Sequence, residues 1–114
     1  MARQKTAPDE TITRGTGNLF ADLGYVDAEE RQTKLRLAHA INGVIARKRL
    51  PQASTAAKLG VNQPKVSALA NYKLDGFSVE RLMTFLTALD QDVEIVIKKK
   101  ARSRGAGRIS VVAA

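Results

Sequence analysis

Residues Gln52 to Asn71, which read Gln-Ala-Ser-Thr-Ala-Ala-Lys-Leu-Gly-Val-Asn-Gln-Pro-Lys-Val-Ser-Ala-Leu-Ala-Asn, decide the fold. Gln52 to Leu59 holds good helix formers and no internal Gly or Pro, so a two-turn helix is expected there. Gly60 follows at the point where a residue free to take positive φ ends a helix without a Cβ clash. Val61 can then turn into the core, and Asn62 offers a side-chain oxygen to the free N–H groups of a second helix. Pro64 falls in that helix's first turn, where a missing N–H costs nothing. The second helix is therefore expected from about Gln63. Val66, Leu69 and Ala70 share its apolar face, while Gln63, Lys65, Ser67 and Asn71 lie opposite, with Asn62 at the tip. Two short helices joined by so tight a turn, with a small Ala56 where they must approach, form the arrangement that places a helix in a DNA major groove. The polar face carries donors and acceptors suited to base edges and phosphates.

The stretch from Leu50 to Leu69 resembles the helix-turn-helix of the Cro and lambda-repressor group, the XRE family. A longer pattern is similar to the HigA-like antitoxin branch of that family: Asn18-Leu-Phe-Ala-Asp-Leu-Gly, a helix, the motif, Gly76-Phe-Ser-Val-Glu-Arg-Leu, and Asp92-Val-Glu-Ile-Val-Ile. The resemblance covers roughly residues 18 to 98. It implies a lambda-repressor-like bundle of four to five helices that binds double-stranded DNA and represses transcription. It also implies a RelE- or HigB-like RNase as a partner and repression of the protein's own operon. Two positions depart from the pattern: Thr55, where relatives carry an apolar or small inward residue, and Ala70-Asn-Tyr, where a basic or glycine-rich segment is more usual.

Charge supports a nucleic-acid partner, and its placement matters more than its size. Of the net charge of +8, residues 98–108 supply six positive charges and no negative one, leaving +2 for the rest of the chain. This Gly-containing segment, which overlaps a basic tail of residues 99–114, is expected to be disordered when free and to offer non-specific phosphate contact or simply solubility. Residues 1–17, with Pro8, Gly15 and Gly17, read as a flexible arm. Within the motif region, Arg47 to Leu74 contains six basic residues and no acidic one. The candidate DNA contacts are Gln63, Lys65, Ser67 and Asn71 in the groove, Asn62 at the helix tip, and Gln52 with the N–H groups of its helix start on phosphate.

Around the motif the chain reads as one helical domain, residues 18–98, large enough to fold without metal or disulfide support. Asp27, Ala28, Glu29 and Glu30 are expected to open a helix that Arg47 to Arg49 close, with Leu37, Ile41, Val44 and Ile45 as its core stripe and Leu35 and Ala38 flanking. Asp75-Gly76 marks a turn and Ser78 an N-cap; Val79, Leu82, Met83, Phe85, Leu86 and Leu89 then recur at helical spacing. The period changes at Asp92-Val-Glu-Ile-Val-Ile, where Val93, Ile95 and Ile97 alternate with Glu94, Val96 and Lys98, and a strand is expected. A lone strand needs a partner for its backbone groups. The choices are the same strand of a second subunit, the edge of another protein, or the weaker Arg108-Ile-Ser-Val-Val folding back as a hairpin. The dimer is favoured because two recognition helices one helical turn apart read a palindromic operator. Val93, Ile95 and Ile97 are therefore the expected dimerisation residues.

Other classes find less support. The chain has no cysteine, so thiolate metal sites and disulfides are out of reach, and no metal ligand set or cofactor motif appears. The one histidine, His39, sits mid-helix and is expected on the surface. Asp90, Asp92 and Glu94 are expected to solvate a helix-strand junction. A small basic RNase would need a sheet-based fold, which one strand does not supply. With no Trp and few aromatic residues, a base-stacking single-strand binder is disfavoured. No apolar run is long enough to span a bilayer and the N-terminus lacks the apolar segment of a secretion signal, so a cytoplasmic, nucleoid-associated protein is expected. Leu19, Phe20 and Leu23 are expected either to dock a partner or to cap the protein's own core.

Overall fold

The computed structural model describes residues 19–113, with side chains described from residue 28 onward. The expected arm of residues 1–17 and the side chains of Leu19, Phe20 and Leu23 fall outside the described part. The chain divides into two compact units, residues 1–31 and 32–114, and the second holds the motif. Four helices follow one another: α1 (Leu19–Lys48), α2 (Gln52–Leu59), α3 (Gln63–Ala70) and α4 (Val79–Ala88).

Helix α1 begins eight residues before the expected opening at Asp27. The residues from Leu19 to Leu23 are mostly good helix formers, and an isolated Gly24 costs only about 1 kcal/mol relative to Ala, so the acidic cluster lies inside the helix rather than at its start. On its C-terminal half, Thr33, Leu37, Ala38, Ile41 and Val44 are buried along one stripe, while Leu35 stays exposed. Leu37, Ala38, Ile41 and Val44 meet Leu59 of α2, Leu69 of α3, Leu74 and Phe77 of the connecting turn, and Leu82, Phe85, Leu86 and Leu89 at α4 in a single core cluster. The Phe77 and Phe85 rings meet edge to face, centroids 5.8 Å apart, which joins the turn to α4 with the geometry aromatic quadrupoles prefer. The core stripes of α1 and α4 and the motif's spacing are therefore as expected; Ala70 is the exception, since it is exposed rather than packed.

All four helices end in the same way. A residue in the left-handed region donates its N–H to the carbonyl three residues back, and the next residue donates to the carbonyl five back. Gly60 (φ 70°) does this for α2, but Arg49 (φ 53°), Tyr72 (φ 59°) and Asp90 (φ 66°) do it for α1, α3 and α4. A side chain at such a φ costs on the order of 1 kcal/mol, because its Cβ crowds the backbone. Arg49→Gly is therefore expected to raise stability by about 1 kcal/mol despite the greater freedom it gives the unfolded chain. An unchanged or lowered denaturation midpoint would count against the strain.

The strand expected at residues 92–98 does not form, and among the described residues none is in a strand. The alternation is present, but the described chain offers it no ladder partner, and unpaired backbone groups are left to water. Only Val93 of the expected face packs against the core; Ile95 and Ile97 are 73% and 92% exposed. The C-terminal segment is not free either. A turn closes it, with Arg104 N–H donating to Ala101 O at 3.2 Å and Lys100 Nζ to Arg104 O at 2.9 Å. Beyond the turn, Val111 returns to pack against the same helical core. Residues 91–113 thus leave the core and come back to it without forming a ladder.

Candidate nucleic-acid interface

Helices α2 and α3 are held at a fixed angle by their turn. Gly60 supplies the positive φ, Val61 N–H donates to Ala56 O at 3.1 Å, and Ala56 is buried where the helices approach. Asn62 caps α3 as its position suggests, its Oδ1 accepting from Lys65 N–H at 2.9 Å, with Pro64 in the first turn. Val66 and Leu69 are buried, which turns the opposite face of α3 outward. The departure at Thr55 resolves simply: its side chain is fully buried, and its hydroxyl donates to Pro51 O at 3.0 Å, so it packs inward with its polar atom satisfied.

The sequence candidates have different freedoms in the structure. Gln63 is exposed at the start of α3 and Gln52 at the start of α2. Helix α2 follows Pro51, with no side-chain cap on its N-terminus and no acidic residue in its first turn. Its first N–H groups therefore keep the positive end of the helix dipole open to an anion. Ser67 is half-buried; Asn71 is exposed, but its Nδ2 donates to Ser67 O at 2.9 Å, which ties the side chain back along the helix. Lys65 stands differently from expectation. Its Nζ donates to Gly76 O at 3.3 Å and sits 4.8 Å from the centre of the Phe77 ring. A Cβ at residue 76 would come within 2.9 Å of that nitrogen, so Gly76 leaves the room the lysine occupies. Lys65 therefore braces α3 against the turn leading into α4.

Two further side chains, on α1, reach the rear of α3. Asn42 Nδ2 donates to Leu69 O at 3.2 Å, satisfying a carbonyl at the helix's C-terminal end, and His39 Nδ1 lies 3.3 Å from the Tyr72 hydroxyl. They sit three residues apart, on one face of α1. Sequence spacing places His39 on the surface, where it lies, but gives no sign of Tyr72 as its partner. A non-glycine residue in the left-handed position that ends α3 has no signature in the chain. Among the described residues, no group of three or more His, Asp or Glu is placed to hold a metal, and no helix is long and apolar enough to cross a membrane.

A tight two-helix unit whose second helix is capped, buried on one face and polar on the other defines a helix-turn-helix protein. Relatives agree: residues 19–98 match the family described as "Helix-turn-helix domain". A solved structure bearing the name of a putative XRE family transcriptional regulator is 80% identical over 77% of this chain and 99% of its own, with a TM-score of 0.74. The chain belongs to the XRE helix-turn-helix family. No curated protein matches it.

Proposed function

We propose that the protein is a sequence-specific binder of double-stranded DNA that represses transcription as a homodimer on a palindromic operator. The observation that carries this reading is the capped α3 with Gln63 exposed at its leading end, beside the uncapped start of α2. In this reading Gln63 and Ser67 meet base edges, Asn62 and Asn71 border the groove, and Gln52 with its helix start holds a phosphate. Lys65 contributes charge from the rim. The name of the 80% identical relative, a transcriptional regulator, supports the class of function. Resemblance extends it to an antitoxin that neutralises a small RelE- or HigB-like RNase and represses its own operon; a co-expressed RNase reading frame whose toxicity this chain suppresses is the test of that extension.

One helix covers only a few base pairs, so affinity and selectivity require a second copy. Ile95 and Ile97 are exposed in an extended segment whose backbone has no ladder, and Val93 anchors that segment to its own core. Pairing of two such segments about a two-fold axis supplies what each lacks alone.

Selection of binding sites from random duplexes tests the reading, with half-site spacing as a second readout. On the selected site, Gln63→Ala is expected to reduce the preference over random DNA by about 5- to 150-fold, the worth of one good base contact, with little change on random DNA. Lys65→Ala is expected to weaken binding to both and to shallow the salt dependence by about 0.9 in slope. It is also expected to cost roughly 1 kcal/mol of stability, because the brace on Gly76 and Phe77 goes with it. Equal effects of both variants on both duplexes would refute the division of roles.

A further inference from the structure

Residues 98–108, outside the helix-turn-helix, account for six of the net +8 charges, yet the structure does not leave that segment loose. Val93 and Val111 both pack on the helical core, so the basic stretch is the outer part of a loop held at each end. Within it the Lys100 and Arg104 contacts close a turn, and the positions of Gly105 and Gly107 face open space. Its cations, Lys98, Lys99, Lys100, Arg102, Arg104 and Arg108, are interrupted by no acid.

The base of the loop has a defined place. Lys48 Nζ contacts Asp90 Oδ2 at 3.2 Å, tying the residue before the loop to the last turn of α1. Helix α2 starts at Gln52, four residues and at most about 14 Å of chain beyond Lys48, so the Lys48–Asp90 contact ties the base of the loop to the segment that leads into α2. Beyond the anchored Val93, residues 94–97 span up to about 14 Å when extended, which carries the cations away from the core.

We propose that residues 98–108 form a basic arm that grips the sugar-phosphate backbone of duplex DNA beside the half-site read by α3. The inference rests on the DNA-binding reading above. The arm adds affinity and salt dependence without reading sequence, because phosphates carry no base information. An acidic protein surface is the competing partner, and it makes the opposite prediction for DNA.

The test replaces all six arm cations with glutamine in the full chain and measures binding against salt on the selected operator and on a random duplex. Affinity is expected to fall at least about tenfold on both at roughly 100 mM salt, with the slope shallower by about 0.9 for each phosphate no longer neutralised. The ratio between the two duplexes is expected to stay constant. Changing the six positions to the other basic residue, Lys to Arg and Arg to Lys, is expected to retain the wild-type slope, and circular dichroism checks that both variants keep their helices. Arg36→Gln removes one exposed charge from α1 and is expected to leave the slope unchanged. An unaltered slope in the neutralised arm, or an equal change per charge in Arg36→Gln, overturns the proposal. Wild-type protein that binds no duplex defeats the DNA-binding reading itself, whereas sequence-selective wild-type binding that survives neutralisation defeats the arm alone.

Discussion

Aspartate at both Ile95 and Ile97 is expected to leave the helical domain folded and to lower operator affinity by about 100- to 10,000-fold, the gain that linking two half-site contacts provides. Both side chains are exposed and neither belongs to the core cluster, so the monomer keeps its packing. What the substitution adds is four like charges at the proposed two-fold interface, together with the cost of desolvating them. Light scattering is expected to show a dimer for the parent and a monomer for the variant, and random-duplex binding is expected to fall far less than operator binding. A dimer that persists with full operator affinity would move the interface elsewhere. Val93 is left in place because it packs on its own core and truncating it would confuse assembly with folding.

Leu82→Ala is the substitution with the largest expected effect on stability. Leu82 is fully buried on α4, in the cluster where α1, the motif and the Phe77 turn converge. Truncation removes three heavy atoms from a close-packed site whose cluster draws on several separate segments, so collapse around the void is restricted. The expected destabilisation is about 2–5 kcal/mol, against a total of roughly 5–15 kcal/mol for a domain of this kind. Urea titration measures it. A value under about 1 kcal/mol would mean that the core can relax. DNA binding at low temperature is expected to survive in whatever fraction stays folded, because Leu82 lies in the core and the candidate contacts lie on the outer face of the motif.

The motif was legible because each of its signals is local. Gly60 ends a helix, Asn62 starts one, and the buried spacing of Ala56, Val66 and Leu69 fixes which faces meet. Ser78 and the stripe from Val79 to Leu89 were legible for the same reason. The failures were relational. Alternation at Val93, Ile95 and Ile97 is a property of one segment, whereas a strand is a property of two, and no described residue supplies the second. Three helix ends carry Arg49, Tyr72 and Asp90 where sequence reasoning looks for glycine, so α3 could be started from the sequence but not finished. The sequence puts Lys65 with the groove-facing residues of α3, but its contact with Gly76 and Phe77 depends on a turn eleven residues away. The weak Arg108-Ile-Ser-Val-Val segment is legible as one that could fold back, but not that Val111 would pack on the helical core instead of pairing in a ladder.

The recognition helix is pinned at both ends: Asn62 holds its first turn, while Asn42 and the His39–Tyr72 contact hold its last. Such a helix reaches the groove already ordered, so docking costs little further conformational entropy. It also has little freedom to shift when it meets a mismatched base, which must then be borne as an unsatisfied contact rather than absorbed by the backbone. On the proposed reading, discrimination between operators is thereby set in part by two side chains on α1, at the far end of the helix from Gln63.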